Sequence, residues 1–269
     1  MSDAIKFTVK MQGGSEVVRL LRRHPEKVGR TLESLVKQEA RGLGVELARY
    51  TRPFGFGAGA RTQGEKGVAK DIHKVFAIPS DAYQQIQPAD PAAADRFWAD
   101  VVAGRFSRAN TTLHSSSASW RNLSIGRLDP ALHAASRNAK GRVTRRDPAM
   151  IVTTPKSLDT YIAKIQKRVG FAKGSWINAA KAIGGRVRNA AQWVTRHKQA
   201  PGTATVKTGV KPSVTLINNL DYIGQVCPES MVERALGFAE SRLRKALATS
   251  LRIIQEKENR ELNSRRRAG

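Results

Sequence analysis

A long amphipathic segment, followed by a proline and a glycine-rich run, most constrains the fold of this chain. Across residues 28–50, apolar residues recur at steps of three and four, which predicts a helix with one apolar stripe. Pro53 ends that helix, because proline cannot continue it. The glycines of residues 54–67 predict a mobile basic loop, and residues 72–78 a strand. The predicted centre is therefore a helix, a loop that reaches a neighbour, and a strand.

The rest of the chain has weaker but readable periodicity. Alternation predicts strands at 4–11, 149–153, 203–207 and 213–218. Three- and four-residue steps predict helices at 92–102, 128–139, 158–169, 176–183 and 231–254, with Thr154 and Pro155 at the start of the third. Strands and helices that mix without strict alternation indicate an α+β fold. We expect a small mixed or antiparallel sheet, packed by long amphipathic helices, with long loops or arms.

Changes in composition divide the chain into four predicted regions. Residues 1–78 hold the first strand, the long helix and the glycine-rich loop of a core, and residues 149–262 complete the same core. Residues 79–148 between them are predicted to be an insertion or an extended basic arm region. Within it, residues 104–126 are polar and low in complexity, which favours an exposed arm or long loop. Residues 263–269 form a basic tail.

Positive charge is the strongest compositional signal. The 47 Lys and Arg residues exceed the 22 Asp and Glu residues and give a formal net charge of +25. Residues 105–200 alone contain 19 basic and 3 acidic residues. Such a surface attracts polyanions, or is neutralised by neighbouring subunits in an assembly. The predicted polyanion contacts are Lys140, Arg142, Arg145, Arg146, Arg186 and Arg188.

Two further basic clusters follow in the sequence, and Trp176 and Trp193 lie among them. Their members are Lys164, Lys167, Arg168 and Lys173, and then Arg186, Arg188, Arg196 and Lys198. The two indole rings could stack on nucleic-acid bases, whereas the helical stripe that includes Trp176 favours a place in the core.

Motifs for catalysis are mostly lacking in the sequence. Residues 59–66 resemble a phosphate-binding loop only superficially, because the lysine is displaced and no Ser or Thr follows it. The five histidines have no metal-binding spacing, and the single cysteine, Cys227, is expected to be a buried inert thiol. The sequence contains no run of about 18 uncharged apolar residues, so no membrane span is predicted. We therefore expect no enzymatic activity, no cofactor, no metal and no membrane partner.

Three stretches resemble the tail-completion or head–tail joining (neck) proteins of tailed bacteriophages, a family that includes proteins like minor tail protein Z. The first is 48–55 (ARYTRPFG), running on to 67–76 (GVAKDIHKVF). The second runs from 158–162 (LDTYI) to 169–176 (VGFAKGSW), and the third is 214–222 (VTLINNLDY). Residues 79–146 have no counterpart in this resemblance, so we expect them to be an insertion.

The resemblance implies a structural virion protein, assembled in the bacterial cytoplasm into a ring that is commonly a hexamer. Such a ring caps the tail tube and joins it to the head connector, and the genomic DNA would pass through it. The residues expected to reach neighbouring subunits are Phe54, Phe56, Arg61, Lys66, Arg105, Arg108, Trp120, Arg265, Arg266 and Arg267. The alternative is a sequence-independent nucleic-acid-binding protein, and a third hypothesis is an enzyme that uses the glycine-rich run.

Overall fold

The computed structural model describes residues 5–10, 32–138, 141–209 and 212–268, with side chains except at 5–10, 32 and 265–268. The helices are α1 (Leu32–Tyr50), α2 (Ala58–His73), α3 (Pro79–Ile86), α4 (Pro91–Val102), α5 (Phe106–Ser115), α6 (Pro130–Ala135), α7 (Pro155–Gln166), α8 (Phe171–Ala182), α9 (Gln192–Thr195), α10 (Ile223–Val226) and α11 (Glu229–Ala268). The strands are β1 (Ile5–Lys10), β2 (Phe76–Ala77), β3 (Ser124–Gly126), β4 (Met150–Val152), β5 (Gly202–Lys207) and β6 (Ser213–Asn218).

The chain divides into two compact units. Unit 1 comprises residues 1–61 and 170–269, and unit 2 comprises residues 62–169. The predicted insertion had boundaries at 79 and 148, whereas unit 2 extends beyond both. The reason is that α2 and α7 bury Ile72 and Leu158 in one cluster with the residues of β2 and β4.

Unit 1 is built on an antiparallel sheet with the strand order β1-β6-β5. Leu216 of β6 pairs with Phe7 on one side and Ala204 on the other. Helices α1 and α8 pack on this sheet, and α11 packs on α1. The predicted stripe of α1 is buried at Leu43 and Leu47, and Trp176 of α8 is fully buried. Trp176 is therefore a core residue rather than a platform for bases.

Unit 2 is built on a short parallel sheet with the order β2-β4-β3. Ile151 of the central strand pairs with Ala77 and Ile125. Helices α3, α4 and α5 contribute to one apolar cluster, which buries Phe97 and Leu113. The α+β class is confirmed. The single expected sheet is instead two small sheets, one antiparallel and one parallel.

The predicted mobile loop at 54–67 is wrong over most of its length. Only residues 51–57 form an irregular turn, and α2 begins at Ala58 and continues to His73. The predicted strand at 72–78 is correspondingly reduced to β2. Among the glycines of residues 54–67, Gly55 alone has a positive φ, at 88°. The intervening Ala, Arg, Gln, Glu and Lys are good helix formers, which offsets the cost of Gly59, Gly64 and Gly67.

Replacing Gly67 by alanine should therefore raise the free energy of unfolding by about 0.5–1 kcal/mol, because an alanine loses less backbone entropy in a helix. A methyl group at this position meets nothing within 4 Å. Urea denaturation measures the change. As a matched control, Gly55→Ala should lower stability by about 1–2 kcal/mol, since its positive φ penalises a side chain. No gain at Gly67 would contradict the helical assignment.

The predicted exposed arm at 104–126 is also wrong. Helix α5 occupies its first half and buries Ala109 and Leu113, which lie one turn apart. Its polar residues lie mainly on the exposed face, so the composition concealed an amphipathic helix. The second half ends in β3, and Asn110 Oδ1 accepts a hydrogen bond from the Ile125 main-chain NH at 3.0 Å.

The remaining predictions agree with the structure in type and differ mainly at their ends. The strands at 149–153, 203–207 and 213–218 are confirmed, as is the strand at 4–11 over its described residues 5–10. The helices are also confirmed, although the helix at 128–139 is reduced to α6. Thr154 is at the N-cap of α7 with Pro155 after it, but its side chain makes no capping hydrogen bond. The backbone of α11 stays helical through the predicted tail to Ala268.

Candidate interface turn and basic clefts

The end of α1 is closed by a turn at residues 51–57. Thr51 Oγ1 donates to the Leu47 carbonyl at 2.7 Å, and the Gly55 NH donates to the Arg49 carbonyl at 2.8 Å. The last carbonyls of a helix have no partner within the helix and need donors from elsewhere. Pro53 cannot supply a donor, so the turn relies on a side chain from another helix.

That side chain is Lys173 of α8, which is 0% exposed. Its Nζ donates to the carbonyl oxygens of Ala48 at 2.7 Å, Gly55 at 2.9 Å and Arg49 at 3.4 Å. An ammonium group at a helix C-terminus also complements the partial negative charge there. Lys173 therefore joins α8, the end of α1 and the turn, and it is not a surface contact for nucleic acid.

Two aromatic rings complete the environment of Lys173. Its Nζ lies 5.3 Å from the ring centroid of Phe56 and 5.7 Å from that of Trp193. Trp193 Nε1 donates to the Phe56 carbonyl at 2.9 Å. Cations are attracted to aromatic faces, so both rings favour the charged lysine. Trp193 thus has a structural role in the turn.

Burial opposes the effect of the two rings, because it favours the neutral form of Lys173. Desolvation lowers the pKa of Lys173 to about 7, opposed by the nearby Cys227. Burial also raises the pKa of the Cys227 thiol, which the hydrogen bond with Thr51 and the charge of Lys173 partly offset. Cys227 is buried, in agreement with its expected inert character.

The anchored turn presents Phe54 to solvent. This ring is 44% exposed, although Phe56, two residues later, packs beside Lys173. The guanidinium of Arg52 lies 5.7 Å from the Phe54 ring centroid. An exposed aromatic side chain on a fixed backbone loses little entropy when a partner covers it. Phe54 is thus the best-defined candidate contact in unit 1.

The other predicted interface residues are distributed over several elements of the two units. Arg61 and Lys66 are exposed residues of α2. Arg105 is held within unit 2, because its Nε is 2.7 Å from Asp100 Oδ1. Arg108 is exposed on α5, whereas Trp120 packs partly against the apolar cluster of Phe97. The side chains of Arg265, Arg266 and Arg267 lie outside the described part of the chain.

The predicted polyanion contacts are divided between the units, and Lys140 lies outside the described residues. Unit 2 contains Arg142, Arg145 and Arg146, and unit 1 contains Arg186 and Arg188. Arg145 Nε donates to the Asp147 carbonyl at 3.1 Å, so part of its hydrogen-bonding capacity is used locally.

A basic cleft of about 480 Å³ is formed by described residues of each unit. The cleft of unit 2 is lined by Arg146 and Trp120, together with Lys70 and His73. The cleft of unit 1 contains Arg186 and Arg188, and also Arg41, Arg49 and Arg242, which the sequence did not single out.

One signal in the sequence could have identified the role of Lys173. It lies three residues before Trp176 and seven before Ala180, so it shares the apolar face of α8. A lysine in the middle of an apolar face is buried only with acceptors. The sequence does not show which carbonyl groups accept the hydrogen bonds of Lys173.

Within the described residues, none of the helices combines the length and apolar character needed to cross a membrane. The same part of the chain contains no group of three or more His, Cys, Asp or Glu side chains that could hold a metal ion. Comparison of the chain with protein-family models, curated proteins and solved structures finds no match.

Proposed function

We propose that the chain is a structural subunit of the neck or tail end of a tailed bacteriophage, which forms a ring and joins the tail tube to the head connector. Its action is assembly, and no catalytic step is part of the proposal. The subunit would belong to the virion, with its own copies and the adjoining neck and tail proteins as partners.

The observation that carries the proposal is that parts of all three stretches that resemble the phage family meet in unit 1, at residues 48–55, 172–173 and 218. Lys173 of the second stretch donates to Ala48 and Gly55 of the first. Asn218 of the third stretch donates through Nδ2 to the Ala172 carbonyl of the second at 3.2 Å. Segments that are far apart in the sequence are thus joined by hydrogen bonds, which supports the proposal that they act together in one subunit.

Two features of unit 1 suit a subunit of a closed assembly. The sheet order leaves the outer edges of β1 and β5 without a further strand among the described residues. An open edge offers main-chain donors and acceptors to a neighbouring subunit. The fixed turn supplies Phe54 as an apolar contact. A contact between two different surfaces of successive copies forms a ring when the rotation from one copy to the next returns to the first copy.

Sedimentation velocity at about 0.15 M and 0.5 M NaCl tests the proposal, because the higher salt screens non-specific charge contacts. A hexamer of the 29.5 kDa chain has a mass of about 177 kDa, six times that of one copy. We expect a discrete ring-sized species that persists at the higher salt. Phe54→Asp should convert it to monomer while the far-ultraviolet circular dichroism and melting temperature stay unchanged, since a buried unpaired charge is costly.

Val102→Asp is the matched control, because Val102 is apolar, 72% exposed and outside the proposed contact. It should leave the ring intact. A wild-type protein that stays monomeric at both salt concentrations would count against the ring. Equal loss of assembly in the two variants would remove Phe54 from the interface.

A further inference from the structure

The cleft of unit 1 lies along α1, residues 186–189 and Arg242 of α11. Its volume, about 480 Å³, is within the range of roughly 300–1,000 Å³ typical of small-ligand sites. Its charged lining residues are Arg41, Arg49, Arg186, Arg188, Arg242, Glu39 and Glu46. Five positive and two negative side chains give this cleft a net charge of +3.

Both carboxylates of the cleft are engaged by two of its arginines. Arg242 places Nε 3.3 Å from Glu39 Oε2 and Nη1 3.4 Å from Glu46 Oε1. Arg49 Nη1 is 3.5 Å from Glu46 Oε2. The Glu39 and Glu46 side chains are only 8% and 13% exposed, whereas Arg242 and Arg49 are partly open to solvent. The carboxylates therefore orient Arg242 and Arg49 and leave the excess positive charge uncompensated.

The backbone on the other side of the cleft is also held in place. Arg41 Nη1 donates to the Gly184 carbonyl at 2.8 Å, which ties the turn before residues 186–189 to α1. Gly42 leaves room for the guanidinium of Arg242, since a methyl group on Gly42 would lie 2.6 Å from Arg242 Nη2. The arginines are thus arranged before any ligand binds, which lowers the entropic cost of binding.

Unused donors remain in this arrangement. Within the described ranges, Arg186 and Arg188 form no hydrogen bond or ion pair, and both are exposed. Arg242 Nη2 is buried and lacks an acceptor among the same residues. Each guanidinium offers five N–H donors in a planar fork that matches the oxygens of a phosphate. The cleft therefore has more donors and more positive charge than the protein itself uses.

We propose that this cleft binds a phosphate group, with Arg186 and Arg188 as the direct contacts and Arg49 and Arg242 as the pre-oriented inner charges. A phosphodiester of DNA and free inorganic phosphate share the chemistry that the cleft recognises. Contacts of this kind do not distinguish base sequence, so DNA would be bound through its backbone. The cleft would have this property whether or not the chain forms a ring.

The test compares the full-length chain with Arg186→Gln/Arg188→Gln and with Lys198→Gln/Lys207→Gln, which removes the same charge from exposed residues outside the cleft. Fluorescence anisotropy with a short labelled duplex at several NaCl concentrations measures DNA affinity. Calorimetric titration with inorganic phosphate at matched ionic strength measures the free ion. Circular dichroism checks that all three proteins are folded.

We expect the cleft variant to bind duplex about tenfold or more weakly, and to lose about two units from the slope of log affinity against log salt. The control variant should keep most of its affinity. Phosphate binding that the cleft substitution alone abolishes, without duplex binding, would identify the free ion as the source and also support the site. Equal losses in both variants would overturn the proposal, because net charge would explain them. Binding of neither ligand would overturn it as well and would favour an acidic protein surface as the occupant.

Discussion

Replacement of Lys173 by methionine should lower the free energy of unfolding by about 2–4 kcal/mol. A buried carbonyl that loses its hydrogen-bond donor costs about 1–3 kcal/mol. The methionine also removes the cost of burying a charged amine, which offsets part of this loss. The substitution keeps the length of the side chain but removes the donor to Ala48, Gly55 and Arg49. It should also free the turn that carries Phe54, so assembly should weaken at a protein concentration where wild type forms rings. Urea denaturation and sedimentation velocity measure the two effects.

Lys181→Met is the matched control, since Lys181 lies on the same helix and is exposed. It should change stability by less than about 0.5 kcal/mol, as is usual for surface substitutions. If Lys173→Met were as stable as wild type, the three carbonyls would have to find other donors, and the anchoring role of Lys173 would be wrong.

The pH dependence of the same two proteins supplies a second readout of Lys173. Its pKa is about 7 in the folded protein against an ordinary value of 10.5. Between these values the unfolded chain binds more protons than the folded chain, so the free energy of unfolding rises with pH. The penalty for burying the charged amine is complete below about pH 7 and is relieved as pH approaches 10.5.

Relative to Lys173→Met, wild type should therefore gain stability from pH 7.5 to 9.5, by at most about 1.4 kcal/mol per pH unit. The carbonyls and aromatic rings favour the charged amine, so a smaller slope is expected. Urea denaturation at several pH values measures the slope. Parallel curves for the two proteins would mean that Lys173 titrates near its ordinary pKa despite burial.

The second large effect is expected for Gly202→Ala. A methyl group on Gly202 would lie 1.7 Å from the Ser175 carbonyl oxygen and 2.9 Å from the Ala179 main-chain nitrogen. Both contacts are with the backbone of α8, so no side-chain rotation can relieve them. Strand β5 and helix α8 would have to separate, and overpacking with a backbone shift costs typically 1–3 kcal/mol and occasionally more. We expect a loss of about 3 kcal/mol or more.

Gly224→Ala is the control for Gly202→Ala, because a methyl group on Gly224 meets nothing within 4 Å. It should change the free energy of unfolding by no more than about 0.5 kcal/mol. The melting temperature of both variants, followed by circular dichroism, makes the comparison. A Gly202→Ala protein as stable as the control would contradict the close contact between β5 and α8.

Periodicity predicted those parts of the fold whose role depends on neighbours in the sequence. The stripe of α1, the apolar face of α8 and the alternation in β6 each record which side chains meet the core. Pro53 and Gly184 mark the ends of α1 and α8 for local steric reasons. Composition was misleading where it opposed local propensity, because the glycines of α2 and the polar residues of α5 concealed helices.

Local sequence patterns were enough to predict α1, α4, α7, α8 and α11, the strands β1, β4, β5 and β6, the α+β class and the strong positive charge. Three features became visible in the folded chain alone: the two small sheets, the anchoring role of Lys173, and the cleft that Arg186 and Arg188 share with Arg242. The physical reason is the distance along the chain between the groups that meet. The acceptors of Lys173 lie 118 to 125 residues away, and no local pattern of side chains records which distant carbonyl a buried donor will contact.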